Sequence, residues 1–128
     1  MVYSRELLDH FEHPRNSGRI EDPDATVQVE NPVCGDVLKL TAKVLGGRIA
    51  EIRFQAKGCV PAMACASAVT ELVAAKSVSE AQRIRRDDIV KQVGGVPATS
   101  THAAQLAADA ITALAEKLTA SGHSKAHK

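Results

Sequence analysis

The sequence predicts an α+β domain in which a run of strands precedes a run of helices. Residues 26–56 alternate between apolar and polar side chains with a period of two, which is typical of half-buried strands. From Pro61 onward the apolar residues recur every three or four positions, as they do on one face of a helix. A short helix is expected before the strands.

The composition is that of an ordinary single domain and excludes several classes of function. The 128 residues are 45% hydrophobic and 24% charged, with a formal net charge of +1. An aromatic share of 2% argues against base-stacking platforms, and the charge provides no basic stripe for nucleic acid. No apolar run approaches the ~20 residues that span a membrane, and a signal peptide is not expected. We expect one domain over residues 1–120 and a flexible polar tail over residues 121–128.

The cysteine count predicts the redox compartment. The chain has three cysteines, Cys34, Cys59 and Cys65, which cannot all pair with one another. A disulfide framework is therefore not expected, and a reducing cytosol is the expected compartment.

The first helix is expected to begin at Ser4, whose hydroxyl can cap it. Leu7, Leu8 and Phe11 are expected on one side of this helix. The helix should end at "HPRNSG", because Pro14 disfavours helical backbone in the residue before it.

The two central strands meet at "LGGR", which predicts a hairpin. A two-residue turn at Gly46 and Gly47 would pair Leu40 with Arg53 and mix the two faces of the sheet. A three-residue loop, residues 46–48, matches apolar with apolar and charge with opposite charge. We predict this second register, whose pairs are Leu40 with Phe54, Ala42 with Ile52, Leu38 with Ala56, and Lys43 with Glu51.

The predicted register brings "CGD" and "GC" together at the open end of the hairpin. Continued outward, it places Asp36 opposite Gly58 and Cys34 close to Cys59. Because Cys34 and Asp36 are two residues apart, they point to the same side of the strand. Two thiols and a carboxylate then converge, which marks a candidate site. The alternative is a pair of buried cysteines beside a turn, since cysteine is often buried.

The two cysteines of "KGCVPAMACAS" have different predicted environments. Pro61 suits the first turn of a helix, so Cys59 should lie just ahead of that helix, where its dipole favours the thiolate. Cys65 shares one helix face with Val69, Leu72 and Val73, so it is expected to be a small core residue.

A long final helix is predicted in "PATSTHAAQLAADAITALAEKL". His102 falls in its first turn, on the side of Leu106, where it is either a metal ligand or a capping, half-buried histidine. The other histidines are weaker ligand candidates: His10 and His13 flank a turn, and His123 and His127 lie in the polar tail. The expected capping residues are Thr99, Ser100 and Thr101, and the expected buried stripe is Leu106, Ala110, Ile111, Leu114 and Leu118.

Four segments, taken in order, resemble the NifU/IscU-type scaffolds of iron–sulfur cluster assembly. They are "YSRELLDHFEHPRNSG", "PVCGDVLKL", "GCVPAMACAS" and "STHAAQLAADAI", and the resemblance runs from about Tyr3 to Leu118. It implies an α+β fold with a small three-stranded antiparallel sheet and helices packed mainly on one face. It also implies a site of three cysteines plus an aspartate or histidine that holds a nascent [2Fe–2S] cluster or a zinc ion.

Carried over position by position, the resemblance implies a cluster- and metal-binding set of Cys34, Asp36, Cys59 and His102. The family's third cysteine, which follows the histidine, is replaced here by Ala103. Cys65 falls where relatives usually have serine or alanine, so it is no simple replacement. Because the missing cysteine is also implicated as the acceptor of persulfide sulfur, the resemblance implies a weakened or a specialised scaffold.

The implied function is that of a scaffold rather than an enzyme. It would receive sulfur from a cysteine desulfurase and iron from a donor, and would pass the cluster to acceptor proteins; Zn²⁺ and Fe²⁺ are alternative occupants. The segment "VPATS" stands where many scaffolds carry a Leu-Pro-Pro-Val-Lys chaperone-docking motif, which argues against handling by an Hsp70-type chaperone. Two alternatives stay open: a sulfur relay that accepts persulfide on Cys59, and a paralogue that only binds partners.

Overall fold

A three-stranded antiparallel sheet lies at the centre of the molecule, with its strands in chain order. The structure is a computed structural model that describes residues 3–32 and 35–123. The two longest helices, α2 and α5, pack against the sheet and against each other, and this arrangement confirms the predicted α+β class. The elements are α1 (Arg5–Glu12), β1 (Ala25–Asn31), β2 (Asp36–Leu45), β3 (Arg48–Lys57), α2 (Val60–Val73), α3 (Val78–Ala81), α4 (Arg86–Gln92), a short 3₁₀ helix (Ala98–Ser100) and α5 (Thr101–Ala120).

The hairpin of β2 and β3 has the predicted register but not the predicted loop. Leu40 pairs with Phe54 and Lys43 with Glu51, as expected. The loop, however, is a two-residue turn, Gly46 and Gly47, both at positive φ, which is the conformation of a type I′ turn. A β-bulge makes the predicted register compatible with this shorter turn. Pairing shifts from Lys43–Glu51 to Val44–Ile49, so Ala50 is an extra, unpaired residue of β3. The three-residue loop was wrong because the matched pairs all lie on the open-end side of Lys43–Glu51 or at it, whereas the extra residue lies between that pair and the turn.

The core lies between the sheet and the two long helices. The inner face of the sheet contributes Leu38, Leu40, Ile52 and Phe54, each at most 3% exposed. Helix α5 buries the stripe expected from its sequence, and α2 is buried almost all round. The long apolar side chains of the sheet therefore pack against alanine-rich helices that approach closely, as efficient packing requires.

Helix α1 is capped as expected but presents a different face. The Ser4 hydroxyl accepts a hydrogen bond from the Leu7 amide, and it also donates to the carbonyl of Val93. Leu7 is fully buried, whereas Leu8 and Phe11 are 37% and 36% exposed. Of the three residues expected on one side of α1, only Leu7 is therefore packed into the core. The buried side of α1 instead combines Leu7 with His10, three residues on.

The segment after α1 covers the outer edge of β3. The Phe54 amide donates to the Asn16 carbonyl at 2.9 Å, and the Gly18 amide donates to the Phe54 carbonyl at 2.8 Å. Near the other end of β3, the Ile49 amide donates to the Lys76 carbonyl at 2.8 Å. These bonds satisfy backbone groups that an edge strand would otherwise expose.

Helix α5 begins at Thr101, after a single 3₁₀ turn. Ser100 occupies the N-cap position but makes no side-chain capping bond, so the predicted capping role is wrong for this residue. The Thr101 hydroxyl instead donates to the Ala98 carbonyl at 3.3 Å. The helix ends at Ala120, and of the predicted tail, residues 124–128 lie outside the described residues. None of the helices described here combines the length and the apolarity needed to cross a bilayer.

Candidate functional site

Three potential ligands converge at the open end of the hairpin, namely Asp36, Cys59 and His102. One ligand atom from each lies within 4.8 Å of the others. The Cys59 Sγ is 3.5 Å from Asp36 Oδ2, and the His102 Nε2 is 3.7 Å from the same oxygen. Donor atoms around a tetrahedral zinc ion lie about 3.3–3.8 Å apart, given the usual metal–ligand distances. The two measured separations fall within that span.

Asp36 is held at the first position of β2, on the inner face of the sheet. It is only 3% exposed, and β2 and β3 pair up to Val37 and Lys57, which places Asp36 next to Gly58 as predicted. Its Oδ1 accepts a long hydrogen bond, 3.4 Å, from the Cys59 amide, and its Oδ2 accepts from the Cys59 thiol. A buried carboxylate is thus aimed at Cys59 and oriented by the backbone there.

Cys59 occupies the N-cap position of α2, and Pro61 lies in the first turn, as the sequence predicts. The expected thiolate does not follow from this position alone. Partial burial raises the pKa of the Cys59 thiol, and the neighbouring Asp36 carboxylate raises it further, because both disfavour a second negative charge. Burial and Asp36 together outweigh the hydrogen bonds from backbone amides at the start of α2, which lower the pKa of Cys59. A bound cation would reverse this balance, since coordination deprotonates a thiol.

His102 enters the site from the first turn of α5. One third of its side chain is exposed, and its Nε2 faces the Asp36 carboxylate at 3.7 Å. Three residues from three different elements thus meet at one point: the start of β2, the start of α2 and the start of α5.

The three side chains line an open pocket of about 680 Å³. The pocket contains residues that the sequence motifs did not single out as part of the site: Tyr3 from the N-terminus, Lys57 at the end of β3, and Ser100 before α5. Tyr3 was not found because its position depends on long-range docking of α1. Lys57 could have been identified from the sequence as a residue near the site, because it directly precedes Gly58 and Cys59. The described residues that line the pocket are Tyr3, Gly35, Asp36, Lys57, Gly58, Cys59, Pro61, Ser100 and His102.

Cys34, the fourth member of the predicted ligand set, lies outside the described residues, so its predicted place in the site stays a prediction. Cys65 is fully buried in the core, as predicted, and burial raises the pKa of its thiol to about 12. A thiol in that environment is inert. Ala103 follows His102 in the first turn of α5 and is 1% exposed.

The other described histidines lie away from the three-residue cluster. His10 is 4% exposed and belongs to a polar network with α2: its Nδ1 is 2.8 Å from the Ser67 hydroxyl, and its Nε2 is 3.4 Å from Glu71. The Ser67 oxygen also accepts from the Arg15 amide. His10 is therefore a packing residue between α1 and α2. Burial lowers its pKa, with the charge of Arg15 acting in the same direction.

The chemistry of the cluster is that of a metal site. A thiol, an imidazole and a carboxylate are the sulfur, nitrogen and oxygen donors that zinc accepts in tetrahedral geometry. The same donors also suit iron. The open pocket leaves room for a further ligand or a second metal ion beside the three described donors.

Comparisons of the sequence and of the fold with known proteins all find NifU-like or IscU proteins. The NifU-like N terminal domain family matches residues 2–123. The iron–sulfur cluster assembly scaffold protein IscU 1 of Archaeoglobus fulgidus is 44% identical over 110 residues, covering 86% of this chain and 72% of that protein. The scaffold protein IscU of Escherichia coli K12 is 44% identical over 117 residues, covering 88% and 91%. In fold, the N-terminal part of a nitrogen-fixing NifU-like protein from Brucella abortus superposes with a TM-score of 0.72 at 19% identity, covering 91% of this chain and 94% of that one.

Proposed function

This chain belongs to the NifU-like N-terminal domain family, and from that membership together with its metal-type site we infer that it is a scaffold for iron–sulfur cluster assembly. The observation that carries this inference is the convergence of Asp36, Cys59 and His102 within 4.8 Å at the mouth of an open pocket. A scaffold must hold its cargo firmly enough to build it and loosely enough to release it. A ligand set that combines buried Asp36 with exposed Cys59 and partly exposed His102, on three separate elements, suits that task.

We propose that four residues hold the cargo: Cys34, Asp36, Cys59 and His102. Three of them are the described cluster, and Cys34 is added because the motif places it two residues before Asp36. The proposed cargo is a [2Fe–2S] cluster, with Zn²⁺ or Fe²⁺ as alternative occupants. Clusters are usually held by thiolates. A set with only two thiolates therefore predicts a more labile cluster than a three-cysteine site would hold.

The replacement of the family's third cysteine by Ala103 is the main departure from the family pattern. An alanine offers no sulfur to a metal and cannot accept persulfide. Cys65 is a poor substitute, because it is fully buried and belongs to the apolar face of α2. We propose that sulfur reaches this site in one of two forms: as a persulfide on Cys59, whose outer sulfur an external two-electron reductant reduces to sulfide with release of the Cys59 thiol, or directly as free sulfide.

The proposed partners follow from the function. The scaffold takes sulfur and iron from donors and gives the cluster to acceptors; we propose a cysteine desulfurase as the sulfur donor. We propose no docking of an Hsp70-type chaperone at "VPATS", and no catalytic cycle of the chain's own. We further propose that the protein works in the cytosol, with residues 1–120 as the scaffold domain and residues 121–128 as a polar extension.

The second candidate function is a sulfur relay on Cys59, since this thiol is exposed at the pocket. A relay would require a thiolate without metal. The raised pKa of Cys59 disfavours that state, whereas a metal would deprotonate the thiol on binding. The scaffold is therefore the better supported of the two functions.

Anaerobic reconstitution with ferrous iron and sulfide tests the proposal. The wild type and Cys65→Ala should gain visible absorption and protein-bound iron and sulfide in equal amounts, and Cys59→Ala should not. A persulfide on Cys59 after incubation with a desulfurase and cysteine, without any iron-dependent absorption, would favour the relay. Bound iron and sulfide that survive in Cys59→Ala would contradict the proposed role of Cys59 in the scaffold, and absence of a persulfide on Cys59 after the desulfurase incubation would contradict the relay.

A further inference from the structure

In the part of the chain that the structure describes, one permanently cationic residue lines the pocket around the three ligands. Among the nine described residues that line it, Lys57 is the only lysine or arginine. The other charge-bearing groups there are the carboxylate of Asp36, the thiol of Cys59 and the imidazole of His102. None of these three provides a fixed positive charge. The balance of charge in the pocket therefore depends on Lys57.

Lys57 lies where its charge can interact with a ligand that enters the pocket. It is the last residue of β3, opposite Val37, and it is exposed. Its ammonium sits on a flexible four-carbon stem with three rotatable donors. Only Gly58, which has no side chain, separates it from Cys59. Because Lys57 lines the pocket and is exposed, its flexible stem lets the ammonium approach a ligand that enters there.

The charge is needed because the ligands oppose an incoming anion. Asp36 is a buried carboxylate 3.5 Å from the Cys59 sulfur. An anionic sulfur species approaching Cys59 would meet that negative charge in a partly desolvated setting, where charges interact more strongly than in water. A cation at the rim offsets this repulsion and raises the local concentration of anions.

We propose that Lys57 makes the pocket selective for anionic, sulfur-bearing ligands of the thiolate and persulfide class, which it draws toward Cys59. The proposal deepens the proposed scaffold function, and it rests on that function for the identity of the sulfur ligand. The selectivity for anions itself rests only on the pocket and can be measured without metal.

The test compares two alkylating reagents of nearly equal size, the anion iodoacetate and the neutral iodoacetamide. Their rates at Cys59 are measured at one pH by peptide-resolved mass spectrometry, and the ratio of the rates is taken. A change in the thiolate fraction of Cys59 affects both reagents equally and cancels. Lys57→Met should lower the iodoacetate-to-iodoacetamide ratio about threefold at low ionic strength, as expected for unit charges roughly 7 Å apart in water, and by less at high salt.

Two further variants complete the design. Lys57→Arg should retain the wild-type ratio, because it keeps the charge. Lys76→Met removes another exposed lysine, beyond the far end of the 14-residue helix α2, and should also leave the ratio unchanged. An unchanged ratio in Lys57→Met would overturn the proposal, as would an equal fall in Lys76→Met. Failure of cluster reconstitution with the ratio intact would instead count against the scaffold function alone.

Discussion

Gly58 lies directly against the carboxylate of Asp36. A Cβ atom built on Gly58 would come within 2.3 Å of Asp36 Oδ1 and 3.1 Å of Asp36 Cβ. Any side chain at position 58 would therefore have to displace the whole carboxylate, not just its flexible end. The glycine thus permits a buried acid to stand beside Cys59.

We expect Gly58→Ala to displace Asp36 and to weaken metal binding by about 10- to 100-fold, the usual effect of disturbing the groups that orient ligands. Zinc affinity measured by competition with a chromophoric chelator checks this. Gly122→Ala is the matched control, because Gly122 also has positive φ but its added Cβ would meet nothing within 4 Å. Equal zinc affinity in Gly58→Ala and the wild type would contradict the proposed role of Asp36.

Zinc should bind at roughly one ion per chain, as a single four-ligand site implies. Cys34→Ser and Cys59→Ser should each reduce the affinity. Because the pKa of Cys59 is raised, the metal must displace a proton, so affinity should fall as the pH falls, by about tenfold per unit for each thiol that titrates. Calorimetry at several pH values measures the effect. Undiminished binding in a Cys34→Ser/Cys59→Ser chain that also carries His123→Ala and His127→Ala would refute the site.

Cys65→Ala should leave zinc and cluster binding intact, because the side chain is fully buried in the core. We expect it to cost only about 1 kcal/mol of unfolding free energy, since little apolar volume is lost. Chemical denaturation and metal analysis of Cys65→Ala and Cys59→Ala, side by side, decide the matter. If both variants lost metal equally, Cys65 would have to be a ligand.

Ala103→Cys should restore a sulfur donor at the position that the family pattern assigns to the third cysteine. We expect the reconstituted cluster to decay more slowly in this variant, because clusters strongly prefer thiolate ligands. The decay of visible absorption under air measures the effect. Ala104→Cys, at an equally buried neighbouring alanine, is the control. Faster decay in Ala103→Cys than in the wild type would show that the site does not accommodate the added thiol.

Acid should destabilise the docking of α1 through His10. Burial lowers the pKa of His10, so the folded protein binds this proton less readily than the unfolded chain does. The resulting stability is present above the ordinary histidine pKa of about 6.5 and is lost as the pH falls below it. Thermal unfolding at pH 7.5 and 5 should show a larger fall in Tm for the wild type and for exposed-site His13→Gln than for His10→Gln. Equal falls in all three would contradict this assignment.

The strand pairing was predictable because the sheet buries only one face. Leu40 and Phe54 can both be buried in only one register, and the structure has that register. Cys65 was likewise assigned to the core by its spacing from Val69 and Val73. Both predictions depend on periodicity, which a single sequence displays directly.

Three features were not predictable because they depend on contacts distant in sequence or on local backbone geometry. The burial of His10 results from contact with Ser67, 57 residues away. The raised pKa of Cys59 results first from partial burial and then from the carboxylate of Asp36, 23 residues away. The extra residue at Ala50 is a backbone irregularity that leaves the alternation of side chains on either side of it unbroken.

The bulge at Ala50 also constrains how the length of this hairpin can vary. With the two-residue turn alone, the register of β2 and β3 would be shifted by one residue. The bulge restores the observed register from Lys43–Glu51 to Val37–Lys57 at the open end of the hairpin. Deleting Ala50, or inserting one residue into the turn, would shift every pair up to Val37–Lys57. Asp36 would then no longer lie opposite Gly58. Insertions and deletions in this hairpin can therefore preserve the candidate metal site only in compensating pairs, one in the turn and one at the bulge.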